Sequence, residues 1–338
     1  MKKPTIIVTG GAGFIGSHTV VELNQSGFRP VIVDNFSNSE PFILDRIAEL
    51  CGEKIESYTI DCTKEEDFER VFSNEKPDGV IHFAAFKAVG ESVNEPLKYY
   101  HNNIGSLVVL LNLMEKHGVR NLVFSSSCTV YGQPHQVPVT ESSPAKNSQS
   151  PYGFTKVVCE QMINDVHESG SHLSAVLLRY FNPIGAHPSG KLGELPRGIP
   201  NNLVPYITQT AAGLRSSLTI HGNDYSTSDG TCIRDYIHVV DLAQAHIAAL
   251  NWITKSEEAT VEVFNVGTGN GNSVLEVVNT FQDVADQSLN YSIGPRRSGD
   301  VEQIWASTEK AEKILGWRPS LSLKDALRDA WNWQQKLK

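Results

Sequence analysis

Short runs of apolar, often β-branched residues alternate with segments of helical periodicity through the first half of the chain. The runs lie at residues 5–9, 30–34, 55–60, 79–84 and 121–126. They are too short and too uniformly apolar for surface strands, and this is typical of buried parallel strands. The segments between them are long enough to be the helical crossovers that parallel pairing requires. These segments cover residues 15–26, 39–50, 63–73 and 93–116. The pattern predicts an α/β fold with a doubly wound parallel sheet.

The pattern changes near residue 181, where X-Pro pairs become frequent. The pairs are Asn182-Pro183, His187-Pro188, Leu195-Pro196, Ile199-Pro200 and Val204-Pro205. Because proline disfavours helix interiors and sheet ladders, this region predicts a second, loop-rich unit. A helix at 151–167 and a strand at 174–179 continue the sheet, whereas segments 261–266 and 322–337 indicate a small mixed α/β unit. We expect one domain over residues 1–180, with residues of about 235–265 returning to it, and a smaller domain over most of 181–338.

The composition excludes several classes of protein. Of the 338 residues, 40% are hydrophobic and 20% are charged, as in ordinary soluble domains. The 29 basic and 38 acidic residues give a net charge of −9, without the basic surplus that binding to nucleic acid requires. The first apolar run is too short for a signal peptide, and no stretch approaches the length of a membrane span. We therefore expect a cytoplasmic protein with neither a nucleic-acid partner nor a membrane partner.

The cysteines and histidines predict neither disulfides nor a metal site. The five cysteines are odd in number, widely scattered and never spaced as C-x-x-C. This pattern argues against a disulfide framework and a zinc site, and it favours a reducing compartment. The eleven histidines form no H-E-x-x-H motif and no evident ligand pair, so no metal is predicted.

A glycine motif follows the first predicted strand and opens the first predicted helix. Gly10, Gly13 and Gly16 have the spacing G-x-x-G-x-x-G. Gly10 permits a tight turn, Gly13 allows backbone to approach a pyrophosphate, and Gly16 allows close helix packing. The free N–H groups at the helix start would then face an anion. A glycine-rich strand-turn-helix without a ligand is the alternative, but the flanking elements favour a dinucleotide site.

An acidic residue ends the second predicted strand. Asp34 lies 18 residues beyond Gly16, where a carboxylate would accept hydrogen bonds from an adenosine ribose and repel a 2′-phosphate. This favours NAD over NADP. The alternative is a strand-terminal Asp that caps the next helix, a role that Asn35 or Ser37 could also fill.

A tyrosine, a lysine and a serine are the candidates for catalysis. Tyr152 and Lys156 are four residues apart, so they share a face of the helix that Pro151 begins. A tyrosine with its ordinary pKa is a poor base at pH 7, and the Lys156 ammonium would lower that pKa. Ser127 directly follows the fifth predicted strand, where an α/β sheet of this kind places its ligand crevice. The alternatives are a solvated Tyr-Lys pair and serines that satisfy loop backbone groups.

In this order, the glycine motif, Asp34, Ser127 and the Tyr152/Lys156 pair resemble the extended short-chain dehydrogenase/reductase superfamily. Within it, residues 83–92, 178–183, 198–203 and 234–239 resemble the UDP-glucose 4-epimerase family. The resemblance covers nearly the whole chain. It implies a Rossmann-type NAD-binding domain with a smaller substrate-binding cap, a tightly held NAD, a UDP-hexose substrate and a homodimer built on helices 93–116 and 152–167.

The resemblance also implies a reaction. Phenolate Tyr152 takes the C4 hydroxyl proton while hydride passes from C4 to NAD, and the 4-keto sugar then turns over and receives hydride on its other face. Ser127 helps to pass the proton, and no net oxidation occurs. The expected products are UDP-galactose and UDP-glucose, interconverted at C4.

The resemblance implies two further sets of site residues. The cofactor set adds Phe14, Ile15, Asn35, Asp61, Cys62, Phe83, Lys87, Asn102, Ser125, Tyr180 and Phe181. The substrate set adds Asn182, Asn202, Leu203, Thr219, His221, Arg234, Arg297, Asp300 and Ile304. Arg234 and Arg297 would clamp the diphosphate by charge-assisted hydrogen bonds. The sequence departs from the family pattern at Ala85, at His221, where an aromatic ring is expected, and at Ile304, where residue bulk gates the sugar 2-substituent.

Two other functions stay open on the sequence alone. A nucleotide-sugar 4,6-dehydratase needs an acid and a base for C5 and C6, and such relatives place Asp-Glu beside the active-site hydroxyl. Here Cys128 and Thr129 follow Ser127. A regulator that binds NAD without catalysis is the third hypothesis, and relatives of that kind typically lose the Tyr/Lys pair.

Overall fold

A computed structural model describes residues 3–145, 148–297 and 300–337 of the protein. The strands are β1 (Thr5–Thr9), β2 (Arg29–Asp34), β3 (Glu56–Thr59), β4 (Gly79–His82), β5 (Asn121–Ser125), β6 (Ser174–Tyr180), β7 (Asn182–Ile184), β8 (Leu218–His221), β9 (Ile233–Arg234), β10 (Tyr236–His238), β11 (Val261–Val266), β12 (Asn272–Ser273), β13 (Tyr291–Gly294) and β14 (Gln303–Ile304). The α-helices are α1 (Phe14–Gln25), α2 (Ile43–Cys51), α3 (Glu65–Glu75), α4 (Val89–Asn94), α5 (Pro96–Tyr99), α6 (Gly105–Lys116), α7 (Pro151–Glu168), α8 (Leu203–Ala211), α9 (Val239–Ile253), α10 (Val274–Ala285) and α11 (Leu323–Lys336). Within these stretches, no helix is long and apolar enough to cross a bilayer.

Seven strands of the described chain form one parallel sheet in the order β11-β6-β5-β4-β1-β2-β3. The side chains of β1 alternate between two cores: Ile6 and Val8 pack with α1 and α9, whereas Ile7 packs with α3, α6 and α7. Both faces of the sheet are therefore covered by helices. The predicted α/β fold with a doubly wound parallel sheet is confirmed. The chain order reverses between β1 and β4, so the ligand crevice of such a sheet lies at the carboxyl ends of these strands.

Two segments differ from the sequence prediction. Segment 93–116 is not one helix: α4 ends at Asn94, Pro96 begins α5, and a π-helical turn at Tyr100–Ile104 precedes α6. Proline restricts the residue before it and cannot continue the hydrogen bonds of a preceding turn, which explains the break at Glu95. Segment 261–266, which its pattern assigned to the small mixed unit although residues of about 235–265 were expected to return to the first domain, is β11, and it pairs along its whole length with β6 at the edge of the large sheet.

The remaining strands of the described residues form short sheets, and β7 directly follows the carboxyl end of β6. Their pairings are β7 with β10, β8 with β13, and β9 with both β12 and β14. Helices α8, α10 and α11 pack with them around a third apolar core that includes Ile184, Ile207, Phe281 and Leu327. This arrangement gives the crevice a second wall.

Candidate active site

The glycine loop between β1 and α1 has the geometry of a dinucleotide site. Gly10 has φ +68°, and a Cβ there would lie 3.0 Å from the backbone nitrogen of Ala84. At Gly16 a Cβ would lie 2.2 Å from the carbonyl oxygen of Gly10. Helix α1 begins at Phe14 with neither a capping side chain nor an acidic residue in its first turn. The N–H groups at its start are thus left for an anion, as the pyrophosphate of NAD would require.

Asp34 holds the loop that follows β2 against the glycine loop. Its Oδ2 accepts a hydrogen bond from the Ala12 backbone nitrogen at 3.0 Å. Its Oδ1 accepts from the Phe36 nitrogen at 2.8 Å and from Ser39 Oγ at 2.9 Å. Helix α2 begins only at Ile43, so Asp34 does not act as the helix cap that the alternative interpretation offered. Burial raises the pKa of the nearby Cys62 thiol, and the negative charges of Asp34 and Asp61 raise it further.

The predicted catalytic residues meet where β5 ends and α7 begins. Ser150 Oγ caps α7 by accepting from the Gly153 nitrogen at 3.2 Å, and Pro151 occupies the first turn. Tyr152 and Lys156 are both buried on the same face of this helix. Lys156 Nζ donates to the Ser125 carbonyl oxygen at 2.7 Å. The end of β5 and the first turns of α7 are therefore locked together by the lysine.

Ser127 lies near the phenol of Tyr152, and its hydroxyl lowers the pKa of that phenol. Ser127 Oγ already accepts from the Thr129 nitrogen at 3.2 Å and from Thr129 Oγ1 at 3.0 Å. A hydroxyl that accepts two bonds keeps its own hydrogen for a third partner. Ser127 is thus set to donate toward Tyr152 oxygen, which favours the phenolate.

Burial shifts the pKa values of this group in opposite directions. It raises the pKa of Tyr152, and the nearby Ser127 hydroxyl lowers that pKa in part. It lowers the pKa of Lys156 to about 8, because desolvation disfavours the ammonium. Burial also raises the pKa of Tyr180 to about 12, while its hydroxyl lies 2.7 Å from Ser125 Oγ. Lys156 is therefore mostly charged at pH 7. Because burial disfavours the phenolate of Tyr152, a nearby cation is required for Tyr152 to ionise.

The other predicted cofactor residues lie on several elements of the large domain. Asp61 Oδ1 accepts from the Thr63 nitrogen at 2.9 Å, after β3. Phe83 follows β4 and packs against His246 of α9 with ring centroids 4.7 Å apart. Asn102 lies in the π-helical turn and donates to Asn103 Oδ1 at 3.0 Å. Phe14 and Ile15 are the first residues of α1. Asn35 directly follows β2, and Ser125 is the last residue of β5. Phe181 is buried and follows β6.

Residues of the predicted substrate set line the second wall. Arg297 Nη2 donates to Asp300 Oδ1 at 2.8 Å, and Arg234 Nη2 lies 4.0 Å from the same oxygen. The two arginines thus share one carboxylate. The Arg234 charge also acts on the Cys128 thiol, whose pKa burial raises to about 12, so this wall faces the turn that contains Ser127.

The rest of that set is spread over four elements. Asn182 is in β7, Asn202 and Leu203 are at the start of α8, Thr219 and His221 are exposed on β8, and Ile304 is in β14. Ile304 is only 4% exposed and packs with Phe181 in an apolar cluster, beside Arg234 in the sheet register. His221 Nδ1 lies 3.3 Å from the Pro295 carbonyl oxygen, in the loop that leads to Arg297.

Sequence reasoning missed residues that hold these groups in place. Glu194 Oε1 accepts from Lys87 Nζ at 3.1 Å and from Asn202 Nδ2 at 2.6 Å, so one carboxylate joins a cofactor-side loop to a substrate-side loop. Asn103 is buried and bonds both the Phe86 backbone and Thr155 of α7. A buried amide inside an apolar helical pattern could have indicated Asn103, whereas no local pattern indicates Glu194.

Comparison with known proteins agrees with this geometry. The family model described as GDP-mannose 4,6 dehydratase matches residues 7–330. The UDP-glucose 4-epimerase of Dictyostelium discoideum is 51% identical over 97% of this chain and 95% of its own length. That of Bacillus subtilis is 49% identical over 97% of this chain and 96% of its own length.

Solved structures give the same result for the fold. The UDP-glucose 4-epimerase from Bifidobacterium longum, in complex with NAD+ and UDP, has a TM-score of 0.95 and 47% identity, covering 98% of both chains. Although the family model has the name of a dehydratase, the full-length relatives at about half identity are epimerases. The chain therefore belongs to the UDP-glucose 4-epimerase family of the extended short-chain dehydrogenase/reductases.

Proposed function

We propose that this protein is an NAD-dependent isomerase that interconverts UDP-glucose and UDP-galactose by inverting C4 of the hexose, with no net oxidation. The observation that carries the proposal is the buried group formed by Tyr152, Ser127 and Lys156 beside the glycine loop. Relatives of about 50% identity are named for this activity, and one solved relative holds NAD+ and UDP.

The fit of the glycine loop supports NAD as the resident cofactor. Close backbone approach at Gly10 and Gly16 and the uncapped start of α1 suit a pyrophosphate, and Asp34 suits an unphosphorylated ribose. When bound, NAD supplies a hydride acceptor for C4, later the hydride donor, and a positive charge near Tyr152. Tyr180 and Phe181, at the carboxyl end of β6, would border the nicotinamide.

Tyr152 has the task of taking and returning the proton of the C4 hydroxyl. Burial alone would keep its phenol protonated, because a phenolate loses solvation. The Lys156 ammonium and the hydroxyl of Ser127 offset that cost by a charge and a hydrogen bond. Ser127 would also reach the reacting hydroxyl, so the Ser127 and Tyr152 hydroxyls together would offer a path for the proton whichever face of the sugar is presented.

The two arginines of the second wall support a diphosphate ligand. Arg234 and Arg297 converge on Asp300, and a diphosphate would accept from both guanidinium groups. Asn182 and Asn202 add neutral donors at the same wall. Holding the nucleotide by charge leaves the hexose with few fixed contacts, as a sugar that must turn over between two hydride transfers requires.

The proposed function is tested with Tyr152→Phe. Purified protein is incubated with UDP-galactose, and the C4 epimers are separated by chromatography. We expect the variant to lose about 10²- to 10⁴-fold in kcat, because a general acid–base group is removed, and to keep its NAD. Tyr291→Phe, at an exposed tyrosine of β13, is the matched control and should match wild type. A Tyr152→Phe variant with wild-type turnover would remove the proposed base, and a 4-keto-6-deoxy product from dTDP-glucose would favour a dehydratase.

An exposed apolar face supports a homodimer. Val93 of α4 is 60% exposed, Leu97 of α5 is 79% exposed, and Phe154 of α7 is 43% exposed. Val89 and Val108 lie in the same helical layer and are also exposed. A second copy of the chain would cover this face through the same patch on both subunits. Light scattering should give a dimer mass for wild type and a monomer mass for Leu97→Glu, while Ile314→Glu, at an exposed residue elsewhere, should stay dimeric.

The cysteines support a cytoplasmic location. All five lie in the described part of the chain, and each is a free thiol. Cys62, Cys159 and Cys232 are buried, so they act as small apolar side chains. Fractionation of the source cells, with the protein detected by antibody, tests this location, and recovery in a secreted fraction would contradict it.

A further inference from the structure

A buried ion pair lies directly beneath the catalytic turn, outside the set of residues that face the crevice. Glu160 of α7 is one helical turn beyond Lys156. Its Oε1 accepts from Arg179 Nε at 2.9 Å, and its Oε2 accepts from Arg179 Nη2 at 2.6 Å. Each residue is 7% exposed. Desolvation offsets much of the attraction within a buried ion pair, so a gain in stability does not explain why this pair lies beneath the catalytic turn.

The carboxylate of Glu160 has a third partner in the catalytic strand. Ser126 Oγ donates to Glu160 Oε1 at 2.5 Å, and Ser126 is fully buried. Its chain neighbours both belong to the site: the Ser125 carbonyl accepts from Lys156 at 2.7 Å, and Ser127 lies near the Tyr152 phenol. The Ser126 side chain therefore points toward Glu160, whereas the Ser125 hydroxyl lies against Tyr180 and the Ser127 hydroxyl lies against Thr129.

The far side of the ion pair is anchored as well. Arg179 Nη1 donates to Tyr131 hydroxyl at 3.1 Å, and the guanidinium lies 5.0 Å from the centroid of the Tyr131 ring. Tyr131 hydroxyl donates to Asn265 Oδ1 of β11 at 2.7 Å. Tyr131 ends the helical turn that Ser127 caps. The network therefore fixes the segment from Ser125 to Tyr131 against β6, α7 and β11.

We propose that Glu160, acting through Ser126, is the positioning residue that keeps the Ser125 carbonyl on Lys156 and the Ser127 hydroxyl on Tyr152. The inference rests on the proposed epimerase function, because it assigns those two contacts a role in the reaction. Glu160 does not face the crevice. It holds the backbone between two groups that must each stay aligned to within a fraction of an ångström.

Ser126→Ala is the variant that isolates this link. It removes one buried hydroxyl and leaves Glu160 bonded to Arg179, so no buried charge loses its partner. Replacing Glu160 itself would leave Arg179 uncompensated and would destabilise the fold. Since a misplacement of about 1 Å at a reacting group can cost about 10²-fold, we expect kcat to fall about 10- to 100-fold. KM and NAD content should stay within about 2-fold of wild type, because the Ser126 side chain is fully buried against Glu160.

Ser174→Ala is the matched control. Ser174 is also fully buried, and its hydroxyl accepts from Arg120 Nη2 at 3.3 Å and from the Thr260 nitrogen at 3.4 Å. It begins β6, at the end of the sheet opposite the crevice. Loss of this buried hydroxyl should lower the melting temperature, as the loss of any bonded, buried hydroxyl does, and kcat should stay within about 2-fold of wild type.

Hydrogen–deuterium exchange of the NAD-loaded proteins gives a readout that needs no activity. In Ser126→Ala, amides of 125–131 should exchange at least about 10-fold faster, while those of 174–180 keep their wild-type rates. Wild-type kcat and wild-type exchange in Ser126→Ala would overturn the proposal, as would an equal loss of kcat in Ser174→Ala. A wild-type protein that does not interconvert UDP-hexoses would instead refute the proposed function, and the exchange comparison would still decide whether Glu160 and Ser126 hold the turn.

Discussion

Gly16 is the position where the glycine loop tolerates a side chain least, and it gives a quantitative test of the cofactor site. A Cβ there would lie 2.2 Å from the Gly10 carbonyl oxygen and 2.8 Å from Gly11 Cα. Non-bonded heavy atoms are comfortable at roughly 3.5 Å, so the loop or the first turn of α1 must move by about 1 Å in Gly16→Ala. The atoms in the way are backbone, so no flexible side chain can turn aside.

The expected cost follows from this overlap. Overpacking of this size costs about 1–3 kcal/mol. Alanine is favoured over glycine inside a helix by about 1 kcal/mol, so any loss must come from the contact and not from helix propensity. If the glycine loop opens to relieve the strain, the same free energy is lost from NAD binding, and the affinity for NAD falls about 5- to 150-fold.

The assay compares bound NAD in purified proteins. Each protein is denatured, released NAD is counted per chain, and NAD binding to the stripped protein is measured by calorimetry. Gly90→Ala is the control, because Gly90 is an exposed residue of α4 whose Cβ would meet no atom within 4 Å. We expect Gly90→Ala to match wild type. Wild-type NAD content and affinity in Gly16→Ala would refute the argument that close packing at this loop creates the pyrophosphate site.

Two further predictions concern pH. The pKa of Lys156 is lowered to about 8 by burial, so the ammonium is present below that pH and is lost above it. Lys156→Met removes the charge at every pH, so the pKa of Tyr152 should rise by about 1–3 units. The acid limb of the pH profile of kcat should move to higher pH by the same amount. The surface variant Lys255→Met should leave this limb in place, and an unmoved limb in Lys156→Met would contradict the role of Lys156. Burial lowers the pKa of His18 to about 3, below its value of 6.5 in the unfolded chain, so the unfolded state binds the extra proton between these values. Stability should therefore fall as pH drops below 6.5. The melting temperature should fall less between pH 7 and pH 5 in His18→Asn than in His135→Asn. Equal losses in the two variants would show that His18 does not contribute to this pH dependence.

Local patterns in the sequence were sufficient for most of the fold. Buried strands, the glycine turn and the helix that Pro151 begins depend on contacts within a few residues, so their periodicity predicted them. The broken helix near Glu95 was also readable, because Pro96 lies inside the segment predicted as continuous. The edge position of β11 could not be predicted from local patterns, because the pairing of 261–266 with β6 joins segments that are far apart in the chain.

For the site, the sequence by itself determined which residue types are present and the order in which they occur: a glycine loop, Asp34, Ser127, and a tyrosine and lysine on one helical face. Only the tertiary structure decided how they are partnered. It placed Asp300 between Arg234 and Arg297, and it buried Glu160 against Arg179 where a helical charge would ordinarily face water. Hydrogen bonds and ion pairs depend on separations of a few ångströms that the chain sets only when distant strands and helices pack. Spacing along the sequence therefore predicts which chemistry is available, whereas packing determines which groups are charged, aligned and able to react.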